Sequence, residues 1–352
     1  MSARSDLVWE ARSPGAGEPL RLTAVRRTVA PLVESYTEIR MRFSGLCGSD
    51  LCKLDVGSWA GSIPQGWVPG HEVVGIDTRT DRWVAVNPLV SCDRCAECAI
   101  GRIHLCTGLQ RIGWDLPGGM AESLHIPPHS AVPLPPDTLD PVVFVLADPM
   151  AVALHGIRCG LPGPPADGTR RLGVIGAGTL GICTAVSAVH AGWEVCLVTR
   201  TADQAGRLGA ILAGTGISVL PATDLASGSC DAVVDAASGR SDAPLLSALK
   251  AVRDGGTVLI QNAYAPQVAL SVPLREVFRR SITLRGSYSH CRAAGGDDFR
   301  DAIRLLHECA GSTWATALTA TRYPLAWLPD ALATLHPNAA NRPIKVLLAS
   351  RR

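Results

Sequence analysis

Four cysteines lie close together in the first third of the chain: Cys92, Cys95, Cys98 and Cys106. Spacings this short let one loop arrange four sulfur atoms tetrahedrally around Zn²⁺, and a shell of four thiolates leaves no position for a substrate or a water molecule. The pattern therefore predicts a structural zinc site. Disulfides are the alternative, and they would require an oxidising compartment.

A second set of possible ligands is spread along the chain: Cys47, His71 and Asp148. A thiolate, an imidazole and a carboxylate make a three-ligand shell with one open position, as a catalytic zinc ion requires. Each residue also has an ordinary interpretation when taken alone, because single cysteines and histidines are often buried for packing.

A glycine-rich motif, Gly-Ala-Gly-Thr-Leu-Gly at residues 176–181, stands between a predicted strand at 171–175 and a predicted apolar helix at 182–191. A further strand is predicted at 194–198. This context is that of a dinucleotide-binding βαβ unit. The first glycine allows the turn, the second lets the backbone approach a pyrophosphate, and the third lets helix and strand pack closely. We predict that the cofactor contacts Gly176, Gly178, Thr179, Leu180, Gly181 and Arg200.

Arg200 decides the predicted cofactor. It stands at the end of the second strand, where an NAD site usually carries an acid that binds the ribose 2′-hydroxyl. A guanidinium cannot accept those hydrogen bonds, but it can clamp a 2′-phosphate. The sequence therefore predicts NADP(H). The alternative is that Arg200 is a solvated surface charge.

The distribution of turns and apolar runs indicates an α/β protein of two domains. Residues 1–150 carry many Pro and Gly breaks between short β-forming runs, which predicts a mostly β domain. Residues 151–290 alternate strands with helices, including strands at 231–235, 255–260 and 281–286 and a helix at 243–252, which predicts a doubly wound parallel sheet. A helix at 298–309 and a strand at 342–348 follow.

Taken together and in this order, the motifs resemble those of medium-chain zinc-dependent alcohol and polyol dehydrogenases, in the sorbitol and threonine dehydrogenase branch. The resemblance implies a GroES-like zinc-binding catalytic domain at 1–150, completed by 291–352, and a Rossmann cofactor domain at 151–290. It also implies two Zn²⁺ ions per chain, one catalytic and one structural. The third catalytic ligand in that branch is a Glu, and here Asp148 stands in its place, one methylene shorter, to bind directly or through water.

The resemblance assigns further roles near Cys47. Ser49 is similar to the proton-relay hydroxyl, Asp50 to the acid that orients the histidine ligand, and Glu72 to a neighbouring acid able to move onto the metal. Ser49 as a turn hydroxyl and Asp50 as a helix-start carboxylate are the alternatives. Cys52 occupies the position of a relay histidine, which leaves the exit route of the proton open.

Bulk properties exclude several classes of protein. The net charge of +2 over 352 residues and the absence of a basic patch argue against nucleic acid as a partner. No apolar core for a signal peptide and no apolar run of 18 residues are visible, so we expect a cytoplasmic protein with no membrane partner. We also expect a homo-oligomer, dimer or tetramer.

The resulting hypothesis is a zinc- and NADP-dependent ketone reductase or alcohol dehydrogenase. Its predicted small-molecule substrate is a polar polyol, sugar or aminocyclitol, because the chain also looks like dehydrogenases of sugar and aminocyclitol antibiotic pathways. The alternative is a non-catalytic member of the fold that binds NADPH as a sensor or a structural protein.

Overall fold

A computed structural model describes residues 5–13, 15, 21–54, 63–162, 170–237, 239, 241–265, 267–272, 274–292, 296–336 and 342–351. The chain divides into two compact units. The first contains Met1–Asp148 together with Phe299–Arg352, and the second contains Pro149–Asp298. The first unit is therefore built from two separate parts of the chain.

The strands within the described residues are β1 Asp6–Arg12, β2 Arg21–Arg27, β3 Thr37–Gly45, β4 Glu72–Asp77, β5 Arg82–Val86, β6 Leu89–Val90, β7 Gln110–Arg111, β8 Ser123–Ile126, β9 Ala131–Pro133, β10 Arg171–Ile175, β11 Glu194–Thr199, β12 Ile217–Pro221, β13 Cys230–Asp235, β14 Val252–Ile260, β15 Thr283–Gly286, β16 Arg322–Pro324 and β17 Leu347–Ala349. The α-helices are α1 Gly48–Leu54, α2 Ala96–Ala99, α3 Ala147–His155, α4 Thr179–His190, α5 Ala202–Ile211, α6 Ala243–Ala251, α7 Leu274–Arg279, α8 Asp298–Glu308, α9 Thr313–Thr319 and α10 Leu328–Thr334.

The first unit is organised around a seven-stranded sheet in the order β16-β17-β3-β4-β5-β9, with β8 also paired to β3. All of its pairings are antiparallel except that of β16 with β17. Buried side chains alternate along β3 and pack into one apolar core with residues such as Ile39, Met41 and Leu124. The prediction of a mostly β domain is confirmed.

The C-terminal strand is shorter than the predicted 342–348, since β17 begins only at Leu347 and pairs antiparallel with β3. The preceding residue still contacts the chain next to β3, because the Leu46 N–H donates to the Val346 carbonyl at 2.9 Å.

The second unit contains a six-stranded sheet in the order β12-β11-β10-β13-β14-β15, with every pairing parallel. Helices α4, α5 and α6 connect successive strands, as parallel pairing requires. The central strands are mostly buried and rich in β-branched residues, for example Val233 and Val258, and they share one apolar core with α6. The predicted Rossmann-type doubly wound sheet is confirmed.

One helical stretch departs from the expectation about membrane spans. Pro141–Gly160, which joins a 3₁₀ segment, α3 and a π-helical segment, is long and apolar enough to cross a membrane by length and composition alone. A window of it is 72% buried inside the protein. A helix in a protein core meets the same test.

Candidate metal and cofactor sites

Three possible metal ligands converge in the first unit. Cys47, His71 and Glu72 each offer one ligand atom, and these atoms all lie within 4.8 Å of one another. His71 and Glu72 are buried and Cys47 is half-buried. A thiolate, an imidazole and a carboxylate at this separation fit a zinc ion by the chemistry of the donor set.

Asp50 lies next to both Cys47 and His71. It is completely buried in α1, and its Oδ2 accepts a hydrogen bond of 3.1 Å from the Cys47 backbone N–H. Its Oδ1 lies 3.5 Å from His71 Nδ1. Burial opposes protonation of His71, but the neighbouring Asp50 and Cys47 raise its pKa well above the ordinary value. A cation bound by the imidazole would take the place of that proton, with Nδ1 held toward the carboxylate.

Two interlocked loops place His71. Gly70 has a φ of +99°, and a side chain there would press on the backbone of Met120. The N–H groups of Gly118 and Gly119 donate to the carbonyls of Val68 and Gly70 at 2.9 and 2.8 Å. Only glycines permit this close backbone approach, and it fixes the position at which β4 begins with Glu72.

The remaining predicted residues of this site occupy different positions. Ser49 is half-buried in α1, two residues after Cys47. Cys52 is half-buried in the same helix. Asp148 lies in the first turn of α3, and among the described residues it is not part of the group formed by Cys47, His71 and Glu72. The role of Asp148 as a third ligand stays a prediction.

Lys345 is a member of this site that the sequence did not indicate. Its ammonium contacts the Glu72 carboxylate, and both residues are 3% exposed. Burial opposes the charged form of Lys345, but Glu72, Cys47 and Asp50 raise its pKa. The pair is 273 residues apart in sequence, so no local spacing could have revealed it.

The four-cysteine cluster is brought together as its spacing predicts. The sulfur atoms of Cys92, Cys95, Cys98 and Cys106 lie within 4.8 Å of one another. The N–H groups of Cys92 and Gly108 each donate to Cys106 Sγ at 3.3 Å. Donors aimed at sulfur favour the thiolate, which is the form that binds metal.

The pKa values of two of these thiols shift in opposite directions. Backbone N–H groups of Cys98 and Thr107 lower the pKa of Cys95 to about 6. Burial and the adjacent Cys95 and Cys106 raise the pKa of Cys98 to about 12. Four thiolates in so small a space repel one another, and a divalent cation would let all of them ionise. The cluster therefore fits a structural zinc ion.

The glycine-rich turn of the second unit has the geometry expected of a phosphate-binding loop. Gly176 has a φ of +105°, and a side chain there would meet the backbone of Ala237 at 2.6 Å. A side chain at Gly181 would overlap the carbonyl oxygen of Gly176. Gly178 is exposed and has open space where a side chain would point. Thr179 and Leu180 follow at the half-buried start of α4, and the start of a helix is where its dipole and N–H groups favour an anion.

Arg200 lies directly after β11, at the same sheet edge as the glycine-rich turn, because β10 and β11 are parallel and Ile175 is opposite Val198. Its side chain is exposed. Its backbone N–H donates to Gln204 Oε1 at 3.3 Å. The arrangement leaves the guanidinium at the surface, where it could contact a cofactor phosphate.

Asp235 is a second residue that sequence reasoning missed. It ends β13, beside Ile175, is completely buried, and accepts hydrogen bonds from Ala237 N–H and the Tyr264 hydroxyl. Burial raises its pKa even though these donors oppose the shift. The sequence signal that could have identified Asp235 is an acidic residue at the end of a predicted parallel strand, directly before a loop.

Comparison with known proteins identifies the relatives of this chain. The profile of the "Alcohol dehydrogenase GroES-like domain" matches residues 34–136. D-altritol 5-dehydrogenase of Agrobacterium fabrum is 30% identical over 280 residues, which cover 74% of this chain and 79% of that protein. L-galactonate-5-dehydrogenase of Escherichia coli K12 is 28% identical over 336 residues, covering 89% and 92%.

Solved structures agree on the fold. A zinc-binding dehydrogenase from Sinorhizobium meliloti 1021 bound to NADP superposes with a TM-score of 0.79 at 23% identity, covering 99% of this chain and 100% of that one. L-idonate 5-dehydrogenase of Escherichia coli gives 0.77 at 20% identity, with 99% of each chain covered. At these identities the likeness concerns the fold.

Proposed function

Because the chain belongs to the medium-chain zinc-dependent alcohol dehydrogenase family, we propose that it transfers a hydride between NADP(H) and a secondary alcohol or ketone of a polar, polyhydroxylated substrate. The observation that carries the proposal is the convergence of Cys47, His71 and Glu72 within 4.8 Å, with Asp50 behind His71. A zinc ion held there supplies Lewis acidity to the substrate oxygen, and the nicotinamide supplies or accepts the hydride.

The protein's own residues orient the ligands and move the proton. Asp50 is bonded to the Cys47 backbone and faces His71 Nδ1, so it fixes the orientation of two ligands at once. Ser49 lies in α1, two residues after Cys47, and in this proposal its hydroxyl takes the proton of the substrate alcohol while it passes its own proton outward to water, with the reverse exchange in reduction. Asp148 is proposed as a further ligand of the same zinc ion.

The proposed structural zinc ion belongs to Cys92, Cys95, Cys98 and Cys106. Its four ligands come from a stretch of fifteen residues, and the donors to Cys106 Sγ support thiolates there. Such a closed shell contributes to folding and takes no part in the reaction.

The relatives leave the substrate open. D-altritol 5-dehydrogenase is named for a neutral alditol and L-galactonate-5-dehydrogenase for an aldonate. We include sugars and aminocyclitols of secondary metabolism in the proposal because of the sequence resemblance described above. A homo-oligomer and a cytoplasmic location also stay predictions.

The cofactor preference can be tested at Arg200. We expect wild-type kcat/KM to be at least tenfold higher with NADPH than with NADH, because a guanidinium can pair with the 2′-phosphate. Arg200→Ala should lower kcat/KM for NADPH by about 10- to 100-fold, as expected for a charged hydrogen bond, and leave NADH nearly unchanged. The matched control is Arg275→Ala, an exposed arginine in α7. A tenfold preference of the wild type for NADH would contradict the assignment.

The proposed activity itself is tested with a panel of ketosugars, polyols and aminocyclitols, assayed with NADPH and NADP⁺ before and after treatment with a zinc chelator. Chelator-sensitive turnover of at least one substrate supports the proposal. NADPH binding without turnover of any substrate, at full zinc loading, would instead support the non-catalytic alternative.

A further inference from the structure

Lys53 carries a cation inside the first unit. The residue lies in the last turn of α1 and is 6% exposed. Its Nζ is 4.6 Å from the ring centroid of Trp67 and 4.3 Å from that of Trp114. Among the described residues, none accepts a hydrogen bond from this ammonium. Attraction to two indole faces offsets only part of the cost of removing an ammonium from water.

The electrostatic surroundings agree with an incompletely paired cation. Burial lowers the pKa of Lys53, and the nearby Arg111 cation lowers it further, whereas Asp115 and Asp50 oppose the shift. Asp115 already pairs with Arg111 at 2.9 Å, and Asp50 is bonded to the Cys47 backbone. Both carboxylates therefore have other partners closer to them than Lys53.

The ammonium lies next to the proposed reaction site. Ser49 and Lys53 are four residues apart in α1, so they project from the same face of the helix. The Trp114 ring is 6.4 Å from the His71 ring. Trp67 is fixed by a hydrogen bond of 2.9 Å from its Nε1 to the Gly113 carbonyl. A rigid aromatic pair thus holds Lys53 on the side of the helix that carries the relay hydroxyl.

The two buried lysines of the first unit, Lys53 and Lys345, differ in their surroundings. The chain has three lysines among its 33 basic residues, and two of them, Lys53 and Lys345, are buried in the first unit. Lys345 has a buried carboxylate as its partner. Among the residues described, Lys53 faces two aromatic rings and no carboxylate within ion-pairing distance, and a buried ammonium in such surroundings favours an anionic ligand.

We propose that Lys53 determines substrate specificity by binding a carboxylate of the substrate, which makes the substrate a polyhydroxylated acid of the aldonate class, or its keto acid. This inference rests on the proposed function. A neutral alditol would offer a hydroxyl to the same ammonium without neutralising it, and the amine of an aminocyclitol would repel it. Charged hydrogen bonds are stronger than neutral ones, and more so in a desolvated site.

The test uses pairs of aldonates and alditols with the same stereochemistry, together with 2-deoxy-scyllo-inosamine, on the zinc-loaded full chain. For the pair with the best turnover, we expect wild-type kcat/KM with NADP⁺ to favour the aldonate by at least tenfold. Lys53→Met should lower the aldonate value at least tenfold and the alditol value by a clearly smaller factor, so that the aldonate-to-alditol ratio falls. Lys53→Arg, which keeps the charge, should retain most of the preference.

Two controls separate this inference from a loss of structure. Lys250→Met removes the exposed third lysine and should leave the aldonate-to-alditol ratio unchanged. Quenching of tryptophan fluorescence by the aldonates, measured without NADP⁺, should weaken at least tenfold in Lys53→Met, and the melting temperatures show whether the variant is folded.

Either of two results would overturn the inference: an unchanged aldonate-to-alditol ratio in a folded Lys53→Met protein, or a wild-type preference for the aminocyclitol. Both would leave the proposed oxidoreductase function standing. Failure of every substrate to turn over would instead contradict the proposed function. Lys53-dependent binding of the aldonate would then still support a carboxylate-binding site at Lys53.

Discussion

Glu72 and Lys345 form a buried pair beside Cys47 and His71. Gly45 lies opposite Glu72 in the pairing of β3 with β4, and a side chain there would overlap the Glu72 carboxylate and the end of Lys345. The absence of a side chain at Gly45 therefore makes room for the pair. Lys345 fixes Glu72 next to the proposed ligands, so the acid is held by a partner from the far end of the chain.

This pair gives a prediction at the residue scale. Lys345→Met leaves the Glu72 carboxylate buried and unpaired, and we expect the free energy of unfolding to fall by about 3–5 kcal/mol. Glu72→Gln combined with Lys345→Met should be less destabilised than Lys345→Met alone, because no uncompensated charge remains. Urea unfolding after removal of metal, so that zinc cannot compensate the Glu72 charge, measures both.

The control for that prediction is Lys250→Met, an exposed position at which a change within about 0.5 kcal/mol is expected. If the midpoint of unfolding of Lys345→Met lies at the same urea concentration as that of the wild type, the pairing with Lys345 does not stabilise the buried Glu72 carboxylate.

The turn between β10 and α4 was the element best predicted from sequence. The strand occupies 171–175 as predicted, and the helix begins at Thr179, three residues before the predicted start, because Thr and Leu of the motif are already helical. The steric need for glycine at 176 and 181 could be predicted because each reflects a local backbone requirement, and the role of Gly178 in phosphate binding stays a prediction. Helix α8 likewise spans 298–308 where 298–309 was predicted.

Two glycines of that turn separate cofactor binding from folding. Gly178→Ala meets no atom within 4 Å, so stability should stay within about 0.5 kcal/mol, while the added methyl group should raise the Kd for NADPH at least tenfold by blocking approach of the phosphates. Gly181→Ala overlaps the Gly176 carbonyl and should cost roughly 1–3 kcal/mol of stability. NADPH titration and denaturant unfolding distinguish the two effects.

Gly206→Ala serves as the matched control for both glycines, since it lies in α5 with nothing within 4 Å. Alanine is the better helix former, so this variant should be stabilised by about 0.5–1 kcal/mol with unchanged NADPH affinity. Equal NADPH affinity of Gly178→Ala and the wild type would argue against phosphate binding at this turn.

At the scale of the whole molecule, the sequence predicted the two kinds of architecture and, by resemblance, the return of 291–352 to the first domain, but not which strands and side chains pair. Turn residues and strand–helix alternation are local signals, and they were sufficient for a β unit and a parallel sheet. The pairing of β17 with β3, and of Lys345 with Glu72, joins positions about 300 residues apart. Such contacts are selected by burial and charge in the folded state, and no spacing along the chain records them.

Because the two sets of zinc ligands come from different parts of the chain, we predict that the protein binds two zinc ions with independent roles. The cysteine cluster draws its ligands from fifteen neighbouring residues, whereas the site of Cys47 and His71 depends on several elements of the first unit. We expect the wild type to retain two zinc ions per chain, and Cys95→Ser and Cys47→Ser to retain one each.

The two variants should then fail in different ways. Cys95→Ser should lower Tm by roughly 5–15 °C, because structural zinc contributes to folding. Cys47→Ser should lower kcat at least about 100-fold, since it removes a ligand of the Lewis acid, with a smaller change in Tm.

Cys309→Ser, a half-buried cysteine outside both groups, should keep two zinc ions and normal turnover. Elemental analysis after gel filtration, thermal unfolding and turnover assays measure these outcomes. A wild type with one zinc ion, or full turnover in Cys47→Ser, would contradict the division of labour, because the reaction would then not depend on the metal group next to Lys53 and Ser49.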